Sequence, residues 1–271
     1  MNAVANLAYA EGVFGAPVHP GADLRAESEV VGLKETSNGQ TGVVTVRTRG
    51  LDGEGRAVLA YARAVLVKKR EPGRPSPHRL PPPRFAPAVS PSDLARAAPA
   101  LSPGGYDFAL AGSARRFRDH AVGERVAHPG AHTVEEAEHQ LATRLWQNTA
   151  RVHFDARGQA GSRHGRRLVY GGHVLSIARA LAFDGLENAC LLAGINAGSH
   201  VAPTFAGDTL RAWTEVLDAQ PLPGREDWGA LRLRLVAVKN RDVEDFPLRG
   251  EDGAYAEGVV LDFDHWALLP R

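Results

Sequence analysis

Apolar and polar positions alternate with a period of two over residues 23–32, 43–48 and 57–67, which predicts short strands in the first quarter of the chain. Asn38-Gly39 marks a turn between two of them. No stretch before Lys69 repeats at helical spacing. Antiparallel strands with one apolar face need something to cover that face.

The pattern breaks at residues 71–105, where proline is dense and Pro81-Pro82-Pro83 sits at the centre. Such a composition predicts an extended, semi-rigid linker with no packed element of its own. It divides the chain into a strand-only part, 1–70, and a second part, 106–271. In the second part Thr133-Val134-Glu135-Glu136 has the form of a capping box, and Ala137, Leu141 and Leu145 then recur at helical spacing as far as Trp146. A second helix is expected at 174–183, apolar on nearly every side and closed by Asp184-Gly185. So little polar surface predicts burial, most simply under a sheet that curls around the helix. Strands are expected at 189–194, 209–217, 230–239 and 259–266, the third with the alternation Leu231-Arg232-Leu233-Arg234-Leu235.

The two parts are related. Pro17, Gly21, Leu24, Arg25, Ala26, Glu29 and Val30 recur as Pro203, Gly207, Leu210, Arg211, Ala212, Glu215 and Val216, and Asn2-Ala3 recurs as Asn188-Ala189, always at an offset of 186. A constant offset without gaps indicates two copies of one supersecondary unit. The helices of the second copy precede Asn188, so their first-copy equivalents would fall before residue 1. The chain is therefore expected to begin inside its first copy.

Composition narrows the function classes. At 271 residues and 44% hydrophobic content the chain can build a substantial core. Its 32 basic and 31 acidic residues are interspersed, so bulk charge implies neither nucleic acid nor an anionic membrane as partner. The single Cys190 excludes an intramolecular disulfide and multi-cysteine zinc sites, and its apolar neighbours predict an inert buried thiol. No run is long and apolar enough for a membrane helix, and no signal pattern opens the chain, so a cytoplasmic location is expected.

Candidate chemistry gathers between Gln147 and His173. His153 follows a helix and titrates near working pH, which suits a general base. Asp155, two residues on, would share its face in an extended chain. Tyr170-Gly171-Gly172-His173 opens the apolar helix, where backbone amides carry partial positive charge, and Gly172 is the candidate oxyanion donor. Arg163, His164, Arg166 and Arg167 form a basic loop suited to phosphates.

Val122-Gly123-Glu124, His132-Thr133-Val134-Glu135-Glu136-Ala137, His153 and Tyr170-Gly171-Gly172-His173 together resemble a MaoC-like hydratase of the hot-dog fold. Residues 147–155, 168–186 and 195–217, with Pro203-Thr204-Phe205-Ala206-Gly207-Asp208-Thr209, resemble its mesaconyl-CoA hydratase (β-methylmalyl-CoA dehydratase) branch. The resemblance implies an α+β double hot dog, a long antiparallel sheet wrapping a buried central helix, with the first hot dog lacking its N-terminal helical portion. It implies a lyase that reversibly hydrates an enoyl-CoA thioester, with coenzyme A as part of the substrate and no separate cofactor or metal.

The resemblance also assigns an Asp and a His five residues on to the water and proton steps. Here the Asp position is Asn148, which can orient water but cannot take its proton. The expected site is therefore His153, Asn148 and Gly172 for catalysis, with Asp155, Arg163, Arg166, Arg167, Tyr170, Gly171, His173 and His200 around the substrate; Asp208 is expected to be structural. A homodimer is expected to cover the incomplete first copy. Two other readings stay open at this point: a non-catalytic acyl-CoA-binding subunit, and a hot-dog thioesterase, although thioesterases of this fold generally carry a carboxylate on or near the central helix and 174–183 has none.

Overall fold

The computed structural model describes residues 3–97 and 102–271. Strands β1 (Ala3–Phe14), β2 (Arg25–Glu35), β3 (Thr41–Leu51) and β4 (Ala57–Lys68) come from the first copy. From the second come β5 (Arg125–Ala127), β6 (His132–Thr133), β7 (Leu191–His200), β8 (Thr209–Leu222), β9 (Arg225–Lys239) and β10 (Val259–Pro270). All ten join one antiparallel sheet in the order β2-β3-β4-β1-β7-β10-β9-β8-β5, with β6 also on β8. The repeat is visible in this order: β2-β3-β4-β1 of the first copy meets its mirror arrangement β7-β10-β9-β8 along the β1–β7 seam. Asn2, one of the repeated positions, lies outside the described residues.

The expected strands are present and longer than their alternation suggested. β1 was not singled out by pattern. Its pairing with β4 shifts register three times, and Glu11 takes a positive φ of 50°. Such bulges interrupt the period of two that marks a strand in sequence.

One ladder crosses the seam. Thr214, Leu235, Phe263, Gly198, Tyr9, Arg63, Val46 and Val30 are successive partners from β8 to β2. Directly paired residues share a face, so this row defines the side of the sheet on which the central helix lies. That helix, α4 (Gly171–Leu181), buries His173, Val174, Ile177 and Ala178. They pack on Leu235, Ala237, Leu261 and Phe263 in the main core. Ser176 and Ala180 stay exposed. Toward the first copy the same face carries Arg63, Val46 and Val30, the last 49% exposed.

The proline-rich stretch is not extended throughout. It carries α1 (Pro91–Ala97), and Leu94 is fully buried among Val89, Ala193, Trp228, Trp266 and Leu268. Burying one leucine side chain contributes roughly 2 kcal/mol, enough to anchor a short helix that propensity alone would not sustain. Before α1 the segment straps the opposite face of the sheet. Pro82 touches the Gly32 position, the Ala86 amide donates to Glu11, and the Val89 amide donates to Asn196 at 2.8 Å. Asn196 in turn donates to Asp264, which is bonded to Arg232. Residues 98–101 of the expected linker lie outside the described residues.

Helix α2 (Glu136–Leu145) differs from expectation at its start, and its apolar stripe faces outward. Its cap is Glu135, with a capping box to Glu138, and not Thr133. Thr133 is in β6, its hydroxyl 2.7 Å from that of Thr209. An apolar stripe at helical spacing ordinarily faces a core; here Leu141, Leu145 and Trp146 are 61%, 70% and 64% exposed while His139 and Thr143 are fully buried. The partners of this polar inward face lie within α2: the Thr143 hydroxyl donates to the His139 carbonyl oxygen, and the His139 ring lies 3.5 Å from the Glu136 carboxylate. Cys190, expected to be buried, is exposed, with its thiol 3.6 Å from the Leu268 carbonyl oxygen.

Candidate active site

The chain leaves α2 through Gln147, which adopts a positive φ of 53° and turns the backbone. Asn148 stabilises that turn, its side-chain oxygen accepting from the Ala150 amide at 2.9 Å. Among the described residues no hydrogen bond joins Asn148 to His153. A single 3-10 turn, Arg151–His153, then presents the His153 ring.

His153 Nδ1 lies 2.9 Å from the Leu168 carbonyl oxygen. A carbonyl only accepts, so Nδ1 carries the proton and Nε2 keeps its lone pair. Burial holds the His153 pKa below its ordinary value, the bond to Leu168 offsetting part of the shift. The backbone is fixed from α2: Gln140 Nε2 donates to the His153 carbonyl oxygen. Arg167 bridges the Glu136 carboxylate and the Phe154 carbonyl oxygen.

His153 meets Tyr170 edge to face, with ring centroids 5.7 Å apart. Tyr170 caps α4, and the first backbone bond of the helix runs from the His173 amide to the Tyr170 oxygen. The Gly171 and Gly172 amides precede it, in the turn whose N–H groups have no intrahelical acceptor. Both glycines are needed for close approach. A Cβ on Gly172 would stand 2.6 Å from the Tyr170 ring, and one on Gly171 would stand 2.6 Å from the His200 ring. His200 comes from the end of β7. It is exposed, yet crowding by protein lowers its pKa, the combination expected of a residue on a cleft wall.

Sequence reasoning missed Tyr9. It pairs with Gly198 across the β1–β7 seam, and Gly198 leaves room for its ring. Burial first, then the neighbouring phenols of Tyr170 and Tyr61, raise the Tyr9 pKa. Its phenol therefore stays protonated and able to donate at neutral pH. No local signal marks it, because only the pairing of the two copies brings β1 to α4.

The structure thus gathers His153, Tyr170, Gly171, Gly172 and His200 with Tyr9 at the N-terminus of α4. Other expected residues have different uses. Asp155 caps the short helix α3 (Ala156–Ala160), accepting from the Gly158 amide at 2.8 Å. A helix starts three residues after His153, with Asp155 as its cap, so the extended geometry that would align the two side chains is absent. His173 Nε2 is 2.8 Å from Glu138, which also binds His132. This cluster ties α4, α2 and β6 together. Arg166 stacks over Phe205 at 4.0 Å, while Arg163 is exposed on the loop. Asp208 is structural as expected, accepting from the Phe205 amide and from Asn240.

The architecture and the site at the head of the buried helix define a MaoC-like double hot dog. A solved MaoC domain protein from Chloroflexus aurantiacus superposes with a TM-score of 0.94 at 48% identity, over all of this chain and 76% of that one. A double-hotdog protein from Mycobacterium tuberculosis superposes at 0.67 with 29% identity, over all of this chain and 76% of that one. The family model for mesaconyl-CoA hydratase matches residues 7–249, and the chain belongs to that family. A mesaconyl-CoA hydratase from Cereibacter sphaeroides is 56% identical over all of this chain and 77% of the relative. A beta-methylmalyl-CoA dehydratase from Chloroflexus aurantiacus is 48% identical over all of this chain and 76% of the relative.

Proposed function

We propose that this chain is a hydro-lyase that interconverts mesaconyl-CoA and β-methylmalyl-CoA, with His153, Gly171 and Gly172 at the reacting centre. The observation that carries the reading is the His153 ring, locked as a base with Nε2 free, beside the amides that open α4. Water adds to the carbon β to the thioester carbonyl as Nε2 takes its proton. Charge moves onto the thioester oxygen, where the Gly171 and Gly172 amides and the helix dipole favour an anion. Protonation of the α-carbon then regenerates neutral His153. The donated phenol of Tyr9 and the rings of Tyr170 and His200 shape the acyl pocket.

Asn148 acts on the backbone turn that carries His153, and we assign it a positioning role. Arg163, on the exposed loop, is the group assigned to the coenzyme A phosphates. Addition of water is neither a net oxidation nor a net reduction, and the reading includes no cofactor beyond the coenzyme A of the substrate. The reading includes a cytoplasmic homodimer. It is supported by a lone exposed thiol, which suits a reducing compartment, and by the outward apolar stripe of α2.

The test is loss of the conjugated-thioester absorbance of mesaconyl-CoA on addition of folded protein. His153→Gln is expected to slow it by about 10²- to 10⁴-fold. A folded wild-type chain that gives no hydration defeats the reading. Coenzyme A release in place of hydration would assign a thioesterase.

A further inference from the structure

Arg63 stands on the helix-bearing face on the first-copy side of the seam, directly opposite Tyr9 on the neighbouring strand. Its Nε is buried with no hydrogen-bond partner. Other arginines on the sheet are matched by hydrogen-bonded carboxylates: Arg47 with Glu11, Arg49 with Glu27 and Arg232 with Asp264. Among the described residues no carboxylate pairs with Arg63. A buried guanidinium donor left unmatched costs free energy that a bound anion would recover.

Its position points to which anion. In the ladder Phe263, Gly198, Tyr9, Arg63, the cation lies two strands from Gly198, roughly 10 Å in Cα spacing. An arginine side chain spans much of that interval, and the Tyr9 and Tyr61 rings lie beside it, 6.1 Å apart. The first-copy strand β4 corresponds to β10, where the sixth position after the strand start is His265 instead of Arg63. His265 is fully buried and neutral, its pKa pushed down to about 3 by that burial.

We infer that Arg63 binds the free carboxylate of the acyl group and makes the site selective for a dicarboxylic acyl thioester. This rests on the hydratase reading, since in mesaconyl-CoA the carboxylate is attached to the carbon that receives water. The Arg63 fork would hold that carboxylate beside Tyr9, fixing the reacting carbon toward His153.

The experiment compares mesaconyl-CoA with 2-methylcrotonyl-CoA, which carries a methyl group in place of the carboxylate. In Arg63→Met the ratio of kcat/KM for the two substrates is expected to fall by about 100-fold, and Arg63→Lys is expected to recover part of it. A ratio that moves less than about threefold in Arg63→Met overturns the inference, whatever happens to overall activity. If the wild-type chain hydrates neither thioester, the reaction reading fails on its own. Calorimetric binding of the same two thioesters to wild type and Arg63→Met then decides the role of Arg63: preference for mesaconyl-CoA lost in the variant supports it, and an unchanged preference overturns it.

Discussion

The edge of the His200 imidazole occupies the space that a side chain on Gly171 would need, with ring atoms 2.6 Å from the Cβ position. The end of β7 and the start of α4, both from the second copy, therefore hold each other in place. Gly171→Ala gains helix propensity of up to about 1 kcal/mol, and the ring can swing aside, so the fold is expected to survive. Displacing the ring from the cleft is expected to lower kcat/KM by about 100-fold. The check is a double-mutant cycle: with His200→Ala in place, Gly171→Ala should add little further loss. Additive losses would show that the two positions act separately.

His153 sets the acid limb of the pH profile. Its folded pKa is lowered by burial, so the neutral, base-competent form persists below the ordinary histidine value of about 6.5. Hydration is expected to stay constant as pH falls through that value and to decline only as pH passes the lowered pKa. A kcat/KM profile with its acid limb at or above 6.5 would contradict this assignment.

His265 carries an acid-stability penalty. It is completely buried and stacked on Phe263 at 4.8 Å, and burial pushes its pKa down to about 3. The unfolded chain binds a proton at this residue below about pH 6.5 while the folded chain does not until about pH 3, so folding stability falls as pH drops through that window. His120, His128 and His139 are shifted in the same direction by burial and add to the effect. Urea midpoints measured between pH 7.5 and about pH 4.5 should decline, and His265→Leu should flatten the decline.

The outward stripe of α2 should matter to assembly and not to the fold. Leu141 and Leu145 are mostly exposed, so Leu141→Glu with Leu145→Glu is expected to change unfolding free energy by less than about 0.5 kcal/mol per site. Light scattering after size exclusion should show a wild-type dimer and a monomeric double variant. A dimer that withstands both changes would place the contact on another surface.

The local pattern determined most of the strands, both long helices, the two-copy repeat and the order of elements around Gly171-Gly172, because alternation, helical spacing and glycine placement are properties of neighbours in sequence. It misjudged α2, where Leu141 and Leu145 mark a stripe but not the side on which the core lies. It also missed α1, since a proline-rich segment becomes helical only once Leu94 finds a cavity between Trp228 and Trp266. His153 and Gly172 were legible from motif and position. Tyr9 and Arg63 were not, for they enter through the β1–β7 seam, and pairing across about 190 residues is chosen by the packing of whole copies. The same holds for Asp155 and His173, whose types suit chemistry but whose bonds to Gly158 and Glu138 were settled by where the backbone turns. Sequence determined which groups were on offer near the buried helix; tertiary structure decided which of them face one another, because side-chain partners are set by the distances that folding imposes.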